Sequence, residues 1–304
     1  MTDPASAADR TPRGGETDLD IEWLDDDHLR VGDGRFELFF APESSVSGAG
    51  PCPFRVEKTR AMVEFYRERF GGRPLGNMVE IGIRHGGSLA LFDRLLQPAK
   101  LVAIDLDAEA PPGLQGYIRA NRAEARLRPR FGIDQGDAAA LRRVLAEEFG
   151  GEPLDLVIDD GCHWLAESRT SFNTLFPCLR PSGFYVLEDW GWAHWPGMWQ
   201  ERGGPWVDRP SLTQLVVELV MTAASRPDVV ASVEVRPELV VVKAGGSAVE
   251  PGFDISRSFL TAGRRFAEQG PHATVVGRLR TRLLRLLRSA TSRARALRHA
   301  GPSG

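Results

Sequence analysis

The chain is predicted to fold as an α/β domain: a mostly parallel sheet with helices on both faces, closed by an antiparallel hairpin. Three observations predict this. Short β-type runs alternate with stretches of helical period between residues 78 and 220. Most of these runs are apolar along their whole length, as strands buried on both faces must be. The last two, VVASVEV and ELVVVKA, are separated only by Arg236-Pro237, which forces an antiparallel return.

Residues 1–18 are small, polar and rich in Gly and Pro, and predict a disordered tail. Residues 19–270 are expected to form one domain. It opens with HLRVGDGRFELFF, two apolar runs around Gly-Asp-Gly, which predicts a hairpin. Val56, Met62, Val63, Tyr66 and Phe70 predict a helix over 55–70. The first sheet strand is expected at 78–83 (MVEIGI), with a helix through Leu91 and Leu95 behind a Gly-rich turn. Further strands are expected at 101–105, 129–133, 154–160 and 183–189. The helices between them are marked by Leu141, Val144, Leu145 and Phe149, then by Leu165, Phe172, Leu175, Phe176 and Leu179. Leu212, Leu215, Val216, Leu219 and Val220 mark the last helix. Residues 271–304 hold eight arginines and no acid. They are expected to form a basic tail or a subunit contact rather than a helix lying on an anionic membrane.

The net charge of -3 argues against nucleic acid as a partner of the whole chain. Cys52, Cys162 and Cys178 are too few and too scattered for a disulfide framework or a zinc site, which fits a cytoplasmic protein. The N-terminus lacks the apolar core of a signal peptide, and no run is long enough to span a membrane.

Parallel sheets bind ligands at the carboxyl ends of their strands. The first such end reads Glu80-Ile-Gly82-Ile-Arg-His-Gly86-Gly87-Ser88. Its spacing is not that of a dinucleotide fingerprint. It resembles motif I of S-adenosylmethionine (SAM) enzymes, which marks Glu80, Gly82, Gly86 and Ser88 as candidate cofactor residues. The second strand ends in Asp105, where an acid can accept from both ribose hydroxyls or simply cap a loop. Gly136-Asp137 follows the third, and Asp137 is either an adenine-side acid or a helix cap. Asp159 is counted with the cofactor set.

Asp159-Asp160-Gly161-Cys162-His163 and Glu188-Asp189 each end a long apolar strand. Consecutive acids there are costly to bury unless they bind something. If the strands are neighbours, about 4.8 Å apart, their carboxylates converge. Converging carboxylates need a cation, and hard oxygen ligands suit magnesium better than zinc. His163, beside Asp160, is a candidate base. The plainer alternative is that these acids cap the following helices.

The segment IDDGCHW…RTSFNTLFPCLRPSGFYVLEDW resembles metal-dependent O-methyltransferases that act on sugars of macrolide and related antibiotics, and the wider group of cephalosporin-hydroxylase-type proteins. The resemblance covers roughly residues 75–200. It implies a class I, Rossmann-like methyltransferase fold, SAM and Mg2+ as cofactors, and a small-molecule glycoside as substrate. It implies that Asp160, Glu188 and Asp189 ligate the metal and that His163 is the general base. The chain departs from the family at Cys162, where a small residue such as Ser is usual, and no counterpart is expected of the large N-terminal auxiliary domain of the macrolide-sugar enzymes. A catechol or other small-molecule acceptor shares the same metal logic. A homo-oligomer is compatible with the sequence.

Trp190, Trp192, Trp195, Trp199 and Trp206 follow the acids directly. They are expected to form a substrate-facing loop or lid, with aromatic core or an oligomer interface as the alternative.

Overall fold

The computed structural model describes residues 21–39, 54–111, 113–201, 206, 208–250 and 252–264. The expected tails at 1–18 and 271–304 lie outside the described residues, as do 265–270. The chain divides into two units after Leu260, and the elements below belong to the first.

The first strands form a small sheet of their own. β1 (Ile21–Trp23), β2 (His28–Val31) and β3 (Gly34–Leu38) are antiparallel neighbours, and β4 (Phe54–Val56) joins β3 in parallel. The expected hairpin is therefore present as β2 and β3. The expected helix at 55–70 is shorter. Val56 pairs with Leu38 in the sheet, and the helix α1 (Arg60–Phe70) starts only after Thr59, whose hydroxyl caps the Met62 amide. Met62, Val63, Tyr66 and Phe70 are the buried face of α1.

The main sheet is built from β5 (Asn77–Ile81), β6 (Lys100–Ile104), β7 (Leu127–Arg130), β8 (Leu154–Asp159), β9 (Leu179–Glu188), β10 (Val230–Val235) and β11 (Leu239–Ala244). Between them run α2 (Gly87–Leu96), α3 (Leu114–Ala120), α4 (Ala138–Phe149), α5 (Leu165–Leu175) and α6 (Thr213–Ser225). The short helix α3 had no periodic signal strong enough to predict it. The strand order is β10-β11-β9-β8-β5-β6-β7, and β11 is antiparallel to both of its neighbours.

Strand periodicity sorts the core. Met78, Leu101, Leu156 and Val186 pack with α1, α2 and α3, whereas Val79, Val102, Val157 and Tyr185 pack with α4, α5 and α6. Each aliphatic side chain so buried adds about 1.5–3 kcal/mol of hydrophobic stabilisation. The same alternation decides which face each strand-end acid meets. No helix among the described residues is long and apolar enough to cross a membrane.

Candidate active site

A cavity of about 600 Å³ opens at the carboxyl ends of β5, β6 and β8. Gly82, Ser88, Asp105, Asp160, His163 and Asp189 all line it, so six of the predicted site residues share one space. Three side chains on the tryptophan-rich stretch, Trp195, Trp199 and Trp206, form part of the same wall.

The glycine turn is held by its neighbours. Gly82 has φ +94°, and a Cβ there would lie 2.1 Å from the Asp160 carbonyl oxygen, so only glycine lets the ends of β5 and β8 approach. Gly87 is constrained from outside the sheet, since a Cβ on it would lie 2.0 Å from the Arg55 carbonyl oxygen. Asp105 accepts hydrogen bonds from the amides of Ile83 (2.6 Å), Arg84 (2.8 Å) and Asp107 (2.8 Å). Its carboxylate thus ties the end of β6 to the turn after β5.

The other predicted cofactor residues do not line the cavity. Glu80 is fully buried within β5. Burial pushes its carboxyl up to about 8, while the Ser88 side chain and the Lys58 charge oppose that rise. Gly86 forms the left-handed turn into α2, packed against Pro111 and Leu114. Asp137 caps α4, accepting from the amides of Ala139 (2.9 Å) and Ala140 (3.1 Å). Asp159 points to the opposite face of the sheet from Asp160. There it accepts from the hydroxyls of Ser171 (2.6 Å) and Tyr185 (2.7 Å) and from Gln135 Nε2 (3.2 Å). Asp134 and Gln135 line the cavity where Asp137 was expected to. Gln135 Oε1 also accepts from the Cys162 amide (2.8 Å), which pins the turn carrying Asp160 and His163.

The acidic cluster has two sides. On the cavity side, Asp160, His163 and Asp189 each offer a ligand atom, all within 4.8 Å of one another. His163 Nε2 lies 3.8 Å from Asp160 Oδ1 and 3.8 Å from Asp189 Oδ2. His163 and Asp189 both hold left-handed backbone, at φ 57° and 51°, which costs on the order of 1 kcal/mol or more for non-glycine residues. The Trp192 indole donates to the His163 carbonyl (3.0 Å), and the Asp189 amide donates to the Glu238 carbonyl (2.6 Å). These bonds keep both residues in place. Burial, then the Asp160 charge, raises the Asp189 carboxyl above the usual range. Its Oδ1 is buried without a hydrogen-bond partner among the described residues.

On the inner side lies Glu188, fully buried. Its Oε2 accepts from Lys58 Nζ (2.6 Å) and its Oε1 from the Tyr66 hydroxyl. The same ammonium donates to Asp160 Oδ2 (2.9 Å). Glu188, expected among the metal ligands, is thus turned towards Lys58 and Tyr66, and His163 stands in the cavity-side group instead. Lys58 and Tyr66 come from the segment before the main sheet. No local spacing in the sequence links them to acids 102 and 122 residues away.

A hard divalent cation fits this donor set. Two carboxylates converge beside an imidazole, one carboxylate oxygen is buried and unpartnered, and the cavity admits water as further ligands. The strand order, with one reversed strand set between β9 and β10, together with a ligand cavity at the β5 turn, defines a class I methyltransferase fold. Residues 79–190 match the family described as a methyltransferase domain.

The resemblance read in the sequence is borne out over this segment. It is 38% identical over 120 residues to an L-olivosyl-oleandolide 3-O-methyltransferase of Streptomyces antibioticus, covering 40% of this chain and 26% of that protein. It is 38% identical over 127 residues to a mycinamicin VI 2''-O-methyltransferase of Micromonospora griseorubida, covering 40% and 28%. Identity reaches 48% over 118 residues with an 8-demethyl-8-(2-methoxy-alpha-L-rhamnosyl)-tetracenomycin-C 3'-O-methyltransferase of Streptomyces olivaceus, covering 37% and 25%. The matched stretch therefore spans between a quarter and three tenths of these relatives. Among solved structures, the MycE methyltransferase in complex with Mg, SAH and mycinamycin VI is 26% identical at a TM-score of 0.46, over 64% of this chain and 52% of that one.

Proposed function

We propose that this chain transfers a methyl group from SAM to a hydroxyl oxygen, on a sugar of a glycosylated natural product, with a bound magnesium ion. The observation that carries this reading is one cavity holding both the Asp105-anchored glycine turn and the Asp160, His163 and Asp189 group. The sugar acceptor rests on the relatives, whose names are those of sugar O-methyltransferases.

SAM would lie against Gly82, Ser88 and Asp105. Asp105 is fixed at the turn by these amide bonds, and its carboxylate would accept from the ribose hydroxyls. Asp160 and Asp189 would hold the metal from the cavity side, with Glu188 behind them. When bound, the ion lowers the pKa of a coordinated hydroxyl. His163 Nε2, which lies beside both cavity-side carboxylates, would take the hydroxyl proton. Trp195, Trp199 and Trp206 line the cavity, and indole faces pack well on the C–H face of a sugar. The rest of the rate enhancement would come from positioning two reactants in one cavity.

The test is turnover of purified protein with SAM and a panel of glycosides, read by mass spectrometry as gain of one methyl. Activity is expected to vanish with EDTA and to return with Mg2+. Full turnover by rigorously metal-free enzyme would remove the metal from the reading. Binding of NAD in preference to SAM would remove the methyl transfer.

A further inference from the structure

The side of the acidic cluster away from the cavity is closed by Tyr66 and by one cation, Lys58. Lys58 reaches it from the short link between β4 and α1, and its side chain is wholly excluded from solvent. It is fixed at both ends. Its neighbours Arg55 and Val56 belong to β4, whose backbone presses on Gly87, and Thr59 caps α1. The ammonium lies 2.6 Å from Glu188 Oε2 and 2.9 Å from Asp160 Oδ2, with the Phe92 ring centre 5.4 Å away. The unfolded-chain hydration that it gives up is replaced by two carboxylates. It thus takes up charge from Asp160, which also faces the candidate metal position.

We propose that Lys58 is a positioning residue that serves as the cluster's resident cation and sets how tightly the site takes a divalent ion. The inference rests on the metal reading above. Its physics is competition for the same carboxylate charge. A divalent ion on the cavity side draws on Asp160 and Asp189, while Lys58 holds Asp160 from behind and repels the ion through it. By linkage, whatever the ammonium costs the metal, the metal costs the ammonium's hold on Asp160. In return Lys58 keeps Glu188 and Asp160 together when no metal is bound, where bare carboxylates would push the ends of β8 and β9 apart.

Two measurements test this. The first compares wild type with Lys58→Met, which keeps length and removes charge. Metal-free K58M should melt about 5–10 °C below wild type, because buried carboxylates lose their counter-charge. Mg2+ should restore more melting temperature to the variant than to wild type. Calorimetry should show K58M binding Mg2+ on the order of tenfold more tightly, the factor that about 1.4 kcal/mol of removed repulsion gives. The second measurement uses wild type alone, so it holds even if K58M fails to fold. The chain has three lysines, Lys58, Lys100 and Lys243, so protein labelled with 13C at the lysine ε position gives three side-chain signals. Mg2+ should shift the Lys58 signal and leave the other two in place. If Mg2+ binds both proteins equally and the Lys58 signal does not move, Lys58 is only a structural counter-ion and the inference falls alone. If Mg2+ binds neither protein, the metal reading falls and takes this inference with it.

Discussion

Gly82 and the Asp160 carbonyl oxygen are in backbone contact, at a distance where a single added methyl would sit 2.1 Å from that oxygen. The contact joins the glycine turn after β5 to the turn that carries the acidic cluster. Gly82→Ala should therefore disturb both at once. With φ +94° adding strain, a loss of about 2–4 kcal/mol is expected. Thermal unfolding checks it, and calorimetry with S-adenosylhomocysteine should show binding lost in the same variant. A Gly82→Ala protein with wild-type melting and binding would mean the two turns are independent.

Asp105 works through three backbone amides. Asp105→Ala leaves those donors without a partner and removes the expected ribose acceptor. Binding of S-adenosylhomocysteine should weaken by at least about tenfold, the scale of one or two charge-assisted hydrogen bonds. Asp105→Asn keeps one carbonyl oxygen and should fall between wild type and Ala. Equal loss in both variants would point to the negative charge rather than to the acceptor geometry.

His163→Ala should lower kcat by about 10²–10⁴-fold, the usual range for a lost general base. SAM affinity should stay close to wild type, since the proposed SAM contacts are Gly82, Ser88 and Asp105. Single-turnover kinetics with a verified glycoside is the measurement. Near-normal kcat would show that proton transfer needs no side chain here. A fall in Mg2+ affinity alongside kcat would make His163 a ligand, as its place in the cavity-side group allows.

Glu80 carries a pH signature of its own. Its ordinary value is 4.5, and burial pushes it to about 8 in the folded protein. A carboxyl raised on folding holds its proton better in the native state. Its contribution to stability is then complete below about pH 4.5 and is lost as pH rises through about 8. Melting curves in EDTA at pH 5 and pH 8.5 should show wild type losing stability with rising pH. Glu80→Gln, which is neutral throughout, should lose less by at least about 3 °C. Parallel behaviour of the two proteins would mean that Glu80 is already ionised at pH 5.

The fold was legible because strands buried on both faces leave unbroken apolar runs, and the Arg236-Pro237 turn fixes the direction of the last pair. Strand ends were legible for the same reason, and Gly82, Asp105, Asp160 and Asp189, read from those ends, line one cavity. The face that each acid meets is not legible in the sequence. Asp159 and Asp160 are adjacent, yet a period of two sends one to Ser171 and Tyr185 and the other to the cavity rim. Glu80 shares its face with Met78 and points towards the Lys58 side. Asp137 had two readings, and its amide bonds to α4 give the cap. Lys58 and Gln135 were out of reach, because their partners are distant in sequence and nothing local marks the contact. The spacing of Val56 to Met62 and Val63 fits a helical face, while its pairing with Leu38 is invisible along the chain.

The small sheet that precedes the main one in the chain bears on whether the candidate site is portable. Its last strand braces the helix that follows the glycine turn, and the residues just beyond it deliver the only ammonium that touches the strand-end acids among the described residues. A graft of residues 79–190 into another scaffold would carry over the acids and the imidazole but leave their counterweight behind. Any host that accepts that segment must bring a basic side chain of its own to the back of the cluster, or depend on metal for its integrity as well as its chemistry.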